Sequence, residues 1–192
     1  MTIPPLKMVS FSSKGYKKEL IISTDQVDVM QAFLVEILSC DVMIINTNLG
    51  LDVYYNHVHN KKNQIESAFL ILLAKQGRSI LDFFCYDLNS VDEITLKIHH
   101  YFKRLIEHPL LFKSYSKSLC YQINFNYAQN SKIIETLFSI WQDELLRLNN
   151  TNIQVYILRT FLSNLQLTYI QQSCKPELQD LLRSVINIER SN

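Results

Sequence analysis

From residue 89 onward the apolar positions fall at helical spacing. After Asn89-Ser90, whose polar side chains suit a helix N-terminus, Ile94, Ile98, Tyr101, Phe102 and Leu105 recur on one face as far as Glu107. Pro109 ends that run, because the residue before a proline is pushed out of the α region. The same periodicity predicts further helices over 110–127, 131–148, 152–172 and 176–188. Upstream, Ile65, Phe69, Leu72, Leu73, Ile80 and Phe84 share a broad face and predict one long helix over 61–84. Ile22, Val29, Phe33 and Ile37 predict a helix over 17–38. Ser39 then caps a short helix through Asn46, Asn46-Thr47-Asn48 makes a turn, and a third short helix runs through His57. Residues 1–13 bear Pro and Ser without a period and suggest a flexible arm.

Composition agrees with a helical reading. The 192 residues are 47% hydrophobic, enough for a sizeable core, yet include only 3 glycines and 4 prolines. A sheet-rich chain needs more turn punctuation, so the expected class is all-α. Cys40, Cys85, Cys120 and Cys174 are scattered without CxxC spacing, and the start lacks a secretory signal, which predicts reduced thiols in a cytoplasmic protein. The longest apolar run, 68–74, is far too short to span a membrane.

One segment carries a resemblance. Tyr55-Asn56-His57-Val58-His59-Asn60-Lys61 resembles the Tyr-x-His-Phe-x-(Ser/Asn)-Lys signature of TetR-family transcription regulators, at Tyr55, His57, Asn60 and Lys61, with Val58 for the usual Phe. Lys17, Lys18, Ile21 and Ile22 stand where that family opens its first helix, and Ser39 where it caps the second. The resemblance implies a three-helix helix-turn-helix unit over 14–60 and a helical ligand-binding and dimerisation domain over 61–192. It also implies a homodimer through 152–172 and 176–188, and a small apolar or amphipathic effector that alters DNA affinity. DNA contacts would come from Lys14, Lys17, Lys18, Ser39, Gly50, Asp52, Tyr54, Tyr55, His57 and Lys61, largely to phosphates. The effector would be held by Tyr101, Phe102, Phe112, Tyr115, Tyr121, Phe125, Phe138 and Trp141, which also suit plain core packing.

Two features depart from that pattern. In residues 1–62, Lys7, Lys14, Lys17, Lys18, Lys61 and Lys62 are balanced by Glu19, Asp25, Asp28, Glu36, Asp41 and Asp52, and no arginine precedes Arg78. Leu51 and Asp52 put an apolar and an acidic group where a DNA groove would be met. The alternative is a related scaffold that no longer reads DNA and binds a protein or small molecule. Enzyme motifs are absent: no GxGxxG, P-loop, HExxH or GxSxG occurs, and no cofactor is expected. Adjacent His99-His100 point about 100° apart on a helix and cannot share one ion, so no metal is expected either.

Overall fold

A computed structural model of the chain describes residues 4–14, 19–148 and 152–173. A four-stranded antiparallel sheet lies at its centre, formed by β1 (Leu6–Ser13), β2 (Val42–Thr47), β3 (Gly50–Asn56) and β4 (Phe83–Leu88) in the order β2-β3-β1-β4. Helices α1 (Thr24–Leu38) and α2 (Lys62–Lys75) cover one face. The other face carries α3 (Val91–Glu107), α4 (Phe112–Asn126), α5 (Ser131–Arg147) and α6 (Ile153–Ser173).

Period-two alternation divides each inner strand between two cores. On the α1/α2 face, Val9, Phe11, Val42, Ile44, Leu51, Val53 and Tyr55 pack with Met30, Leu34, Ile65 and Phe69. Phe69 lies between Phe11 and Phe83, with ring centroids 4.2 and 5.3 Å away. On the α3 face, Leu6, Met8, Met43, Ile45 and Tyr54 meet Ile98, Phe102, Leu119, Ile133 and Trp141. Both faces of β1 and β3 are therefore buried, and the hairpin register Thr47↔Gly50 through Val42↔Tyr55 follows from that requirement.

The all-α expectation is thus overturned. Residues 42–47 and 50–56, expected as the second and third helices of a DNA-binding unit, are β2 and β3, and residues 6–13 of the expected arm are β1. The long helix expected over 61–84 ends at Lys75; Gly77 at φ 66° turns the chain and a short 3-10 helix leads into β4. Among the described residues of 14–60 there is no helix-turn-helix unit. The physical reason is the alternation itself: Leu51, Val53 and Tyr55 face one core while Asp52 and Tyr54 face the other, a two-sided burial that no short surface helix provides.

The downstream helices match their expected extents closely. Ser90 caps α3, accepting from the Glu93 N–H while Glu93 reaches back to the Ser90 N–H. Ser23 and Gln26 make the same reciprocal cap on α1. In α6, expected at a dimer interface, Val155, Leu158, Leu162, Leu165 and Tyr169 are buried within the chain itself. The segment expected over 176–188 lies outside the described residues. Among the described residues no helix is long and apolar enough to cross a membrane.

The seven-residue segment around Tyr55 is a strand-to-helix joint. The Tyr55 hydroxyl accepts from the Lys61 N–H at 3.2 Å, and the Asn60 side chain accepts from the Lys62 N–H while donating to Asp87 and Asn89 at the end of β4. His57 Nδ1 is bonded to the His59 backbone.

One outer edge of the sheet is closed by side chains. Gln31 of α1 accepts from the outward Ile44 N–H at 3.0 Å and donates to Asn126 of α4, whose carboxamide also receives Asn130. All three are buried. Removing Gln31 strands a buried strand N–H, which costs about 1–3 kcal/mol. Gln31→Ala should therefore lower unfolding stability by about that amount in urea titration; no measurable loss would show that β2 is held by packing alone.

Candidate functional site

The chemically richest region lies between α3 and the sheet. Lys97, Tyr101 and Arg104 sit at i, i+4 and i+7 of α3, so they form one stripe along its sheet-facing flank. The upward-facing positions opposite include Ser10 of β1, Gly50 and Asp52 of β3, and Tyr86 of β4.

Asp52 is almost wholly buried at the centre of the sheet. The Tyr101 hydroxyl donates to its Oδ1 at 3.0 Å and lies 3.2 Å from the Ser10 hydroxyl. Burial pushes the Asp52 carboxyl above the usual range, opposed by the Ser10 and Tyr101 hydrogen bonds and by the nearby Lys97 charge. Desolvation, with Asp52 next, likewise holds the Tyr54, Tyr101 and Tyr115 phenols upward, so they act as neutral hydrogen-bonding groups. Burial depresses Lys97, partly offset by Asp52. Its ammonium lies 3.8 Å from the centre of the Tyr86 ring and 5.2 Å from that of Tyr101, within cation–π range.

Gly50 is required by this arrangement. A Cβ there would come within 2.7 Å of the Phe11 carbonyl oxygen and 3.1 Å of the Tyr101 hydroxyl. Beyond it, a cavity of about 230 Å³ opens among Ser12, Ser13, Glu19, Asn48, Phe84, Tyr86 and Arg104.

The adjoining strand β4 forms the second edge of the sheet, and it differs from β2. Phe84 and Tyr86, two residues apart on one face, are 49% and 40% exposed, and Lys14 lies over the Phe84 ring at 5.3 Å. Among the described residues no side chain bonds to the outer backbone of β4. A larger cavity of about 650 Å³ separates α3 from α5, lined by Val91, Leu96, Ile140 and several polar groups. Its buried Glu144 is already engaged, by His99 Nδ1 at 2.9 Å and Arg147 at 3.7 Å.

The residues expected to touch DNA are dispersed. Gly50, Asp52, Tyr54 and Tyr55 are buried in β3, where no duplex can reach them. Ser39 ends α1 in the left-handed conformation, His57 and Lys61 belong to the joint before α2, and Lys14 stands over Phe84. Lys17 and Lys18 lie outside the described residues.

The eight aromatics expected around an effector do not share one lumen. Tyr101, Phe102, Tyr115, Phe138 and Trp141 are core residues, and Phe112 packs edge-on against Phe161. Tyr121 and Phe125 are stacked on each other at the exposed side of α4. Of the expected residues, Tyr101, Gly50 and Asp52 meet at the α3–sheet junction, with the Tyr54 and Tyr115 phenols, held up by burial, close enough for Asp52 to raise them further; Lys14 flanks it through Phe84. Sequence reasoning missed Ser10, Tyr86, Lys97, Arg104 and Asn48. The Lys97/Tyr101/Arg104 spacing was an available signal, but it points to a site only once the element opposite α3 is known to be a sheet.

The Ser10 hydroxyl meets a phenol rather than a histidine, and burial holds the Cys85 thiol up at about 12, with Glu66 adding to the effect. Among the described residues no three His, Cys, Asp or Glu side chains converge as metal ligands.

The buried carboxyl has a testable pH signature. With its folded pKa raised above the usual 3.8, Asp52 binds its proton more tightly in the folded state than in the unfolded chain. Its contribution is fully present below that value and is lost as pH rises through the folded pKa. Urea midpoints of Asp52→Asn and wild type, followed from acid to neutral pH, should diverge in favour of the variant as pH rises. Parallel curves would place the carboxyl's pKa at its unfolded value.

No protein-family profile, no curated protein and no solved structure matches the chain.

Proposed function

We propose that the protein is a non-catalytic binding module that takes up an extended, acidic polypeptide by strand addition at β4. The observation that carries this reading is the asymmetry of the two sheet edges. At β2 the outward Ile44 N–H is held by the buried Gln31 side chain, whereas among the described residues no side chain bonds the outer backbone of β4, which keeps two aromatic rings in solvent. An unpaired edge is a template for another strand, with main-chain bonds giving affinity and alternate side chains giving selectivity.

The charges next to β4 favour an acidic partner. Lys14, Lys97 and Arg104 flank its aromatic face. Of the acids at this edge, Asp87 in β4 accepts from Asn60 through Oδ2, and Asp82, just before β4, accepts from the Ser79 N–H. Side chains of an added strand at alternate positions would lie beside Phe84 and Tyr86, with carboxylates in reach of the lysines. Reading duplex DNA through residues 50–55 finds no support, because that strand is interior.

Selection of a random linear-peptide library on the immobilised protein tests this. Acidic sequences with alternating β-branched residues should be enriched, and Tyr86→Glu together with Lys97→Glu should weaken their binding by about tenfold or more, as expected for centrally placed aromatic and cationic contacts. Enrichment of helix-spaced or basic sequences, or binding indifferent to both substitutions, would overturn the proposal. Binding of single-stranded oligonucleotides in place of peptides would overturn it as well.

A further inference from the structure

We infer that the outer face of α1 and α2 joins two copies of the chain in a twofold dimer, with α1 of each copy lying antiparallel along α2 of the other. The inference is independent of strand addition, since this face lies on the side of the sheet away from α3 and includes no residue of β4.

Apolar content supplies the first argument. Val27, Met30 and Leu34 of α1, with Ile65, Phe69 and Leu73 of α2, already pack against the sheet. A helix covered by water on its other side carries polar residues there. Instead Val29, Phe33, Leu70 and Ile71 point outward and are between 41% and 64% exposed.

The ends of the two helices show that these residues form one patch. Gln26, at the start of α1, accepts from Gln76, just past α2, at 2.9 Å. At the opposite end, burial raises the Cys40 thiol just past α1, and Lys61, just before α2, is near enough to oppose it. The helices therefore run antiparallel, which puts Leu70 and Ile71 level with residues 29–33. Ala32 and Ala74, both exposed and small, allow a facing helix to approach.

Charge selects the occupant and its orientation. Helix α1 carries Asp25, Asp28 and Glu36 without a Lys or Arg, whereas α2 begins and ends in lysine, at Lys62 and Lys75. Among the described residues Asp25, Glu36 and Lys75 have no ion-pair partner, and Lys62 reaches Glu66 at 3.7 Å. Burial and then Asp25 push the Asp28 carboxyl up, so the start of α1 gains from an added cation. A layer with one acidic and one basic helix is complementary to itself, as a twofold interface requires. With the axis parallel to the helices, Asp25 of one copy meets Lys75 of the other, and Glu36 meets Lys62. With the axis perpendicular to them, α1 lies on α1 and Asp25 approaches Glu36, a like-charge contact that is opposed. Helices of 15 and 14 residues present a face about 20 Å by 20 Å. That is smaller than the roughly 800 Å² per partner of a standard interface, which sets the expected affinity in the micromolar range.

Sedimentation equilibrium of the full chain from about 1 to 200 μM tests this, and should show a reversible monomer–dimer equilibrium. Phe33→Glu and Ile71→Glu, both exposed substitutions, should each give a monomer with the circular dichroism spectrum of the wild type. Asp25→Lys and Lys75→Glu should each weaken the dimer by about tenfold, because every substitution enters a twofold interface twice, and the two together should restore it. A monomer at every concentration would overturn the inference, as would a dimer that survives Phe33→Glu and so uses another face. Strengthening by Asp25→Lys, or no recovery in the double variant, would overturn the pairing of α1 with α2.

Discussion

The Tyr101–Asp52 hydrogen bond fixes how the α3 layer sits on the sheet. A carboxyl group at the centre of β3 has no route to water, and burying it without partners costs several kcal/mol by order of magnitude. Tyr101 meets it directly, while Ser10 and Lys97 reduce the remaining penalty. Satisfying Asp52 sets the rotation of α3: once Tyr101 points to the sheet, Lys97 and Arg104 must lie along the same flank. Ile94, Ile98, Phe102 and Leu105 are then left to the helical core. Gly50 has to be bare for the phenol to approach. The basic flank at β4 therefore follows from the need to bury one acid in the middle of the sheet.

Closure of β2 and openness of β4 have a common origin in the connectivity. The α4–α5 turn brings Asn126 and Asn130 beside Gln31 of α1, so residues from both helical layers meet around the β2 edge. At the other edge the Asn60 side chain ties the start of α2 to Asp87 and Asn89, securing the end of β4 while leaving Phe84 and Tyr86 uncovered. Each edge is thus anchored, but among the described residues only at β2 does a side chain bond an outward backbone group, the Ile44 N–H.

The helices from α3 onward were legible because caps and apolar period agreed. Asn89-Ser90 marked the start of α3 and Pro109 its end, and the extents of α4, α5 and α6 fall within a few residues of those expected. The strands were misread for identifiable reasons. Val42-Met43-Ile44-Ile45 is a short continuous apolar run, which periodicity alone cannot assign. The signals that could have decided it were the β-branched residues and the short Asn48-Leu49 link between two apolar runs. The Tyr55–Lys61 likeness outweighed them, although its polar groups serve a strand-to-helix joint equally well. Asp52 looked like an obstacle to a DNA groove. Its role as the partner of Tyr101 depends on a contact 49 residues distant, which no local pattern contains.

An open aromatic edge exposes a protein to association with its own copies, and the cations of β4 address this directly. A twofold pairing of β4 with β4 would place Lys14, Lys97 and Arg104 of one molecule close to the same residues of its partner, and facing like charges are destabilising. The two lysines already lie over Phe84 and Tyr86, so they partly shield the rings that would otherwise drive nonspecific stacking. An incoming strand carrying carboxylates removes the repulsion and gains the ion pairs at the same positions. The groups that would oppose a β4–β4 pairing are therefore the ones that would select an acidic partner under the strand-addition proposal.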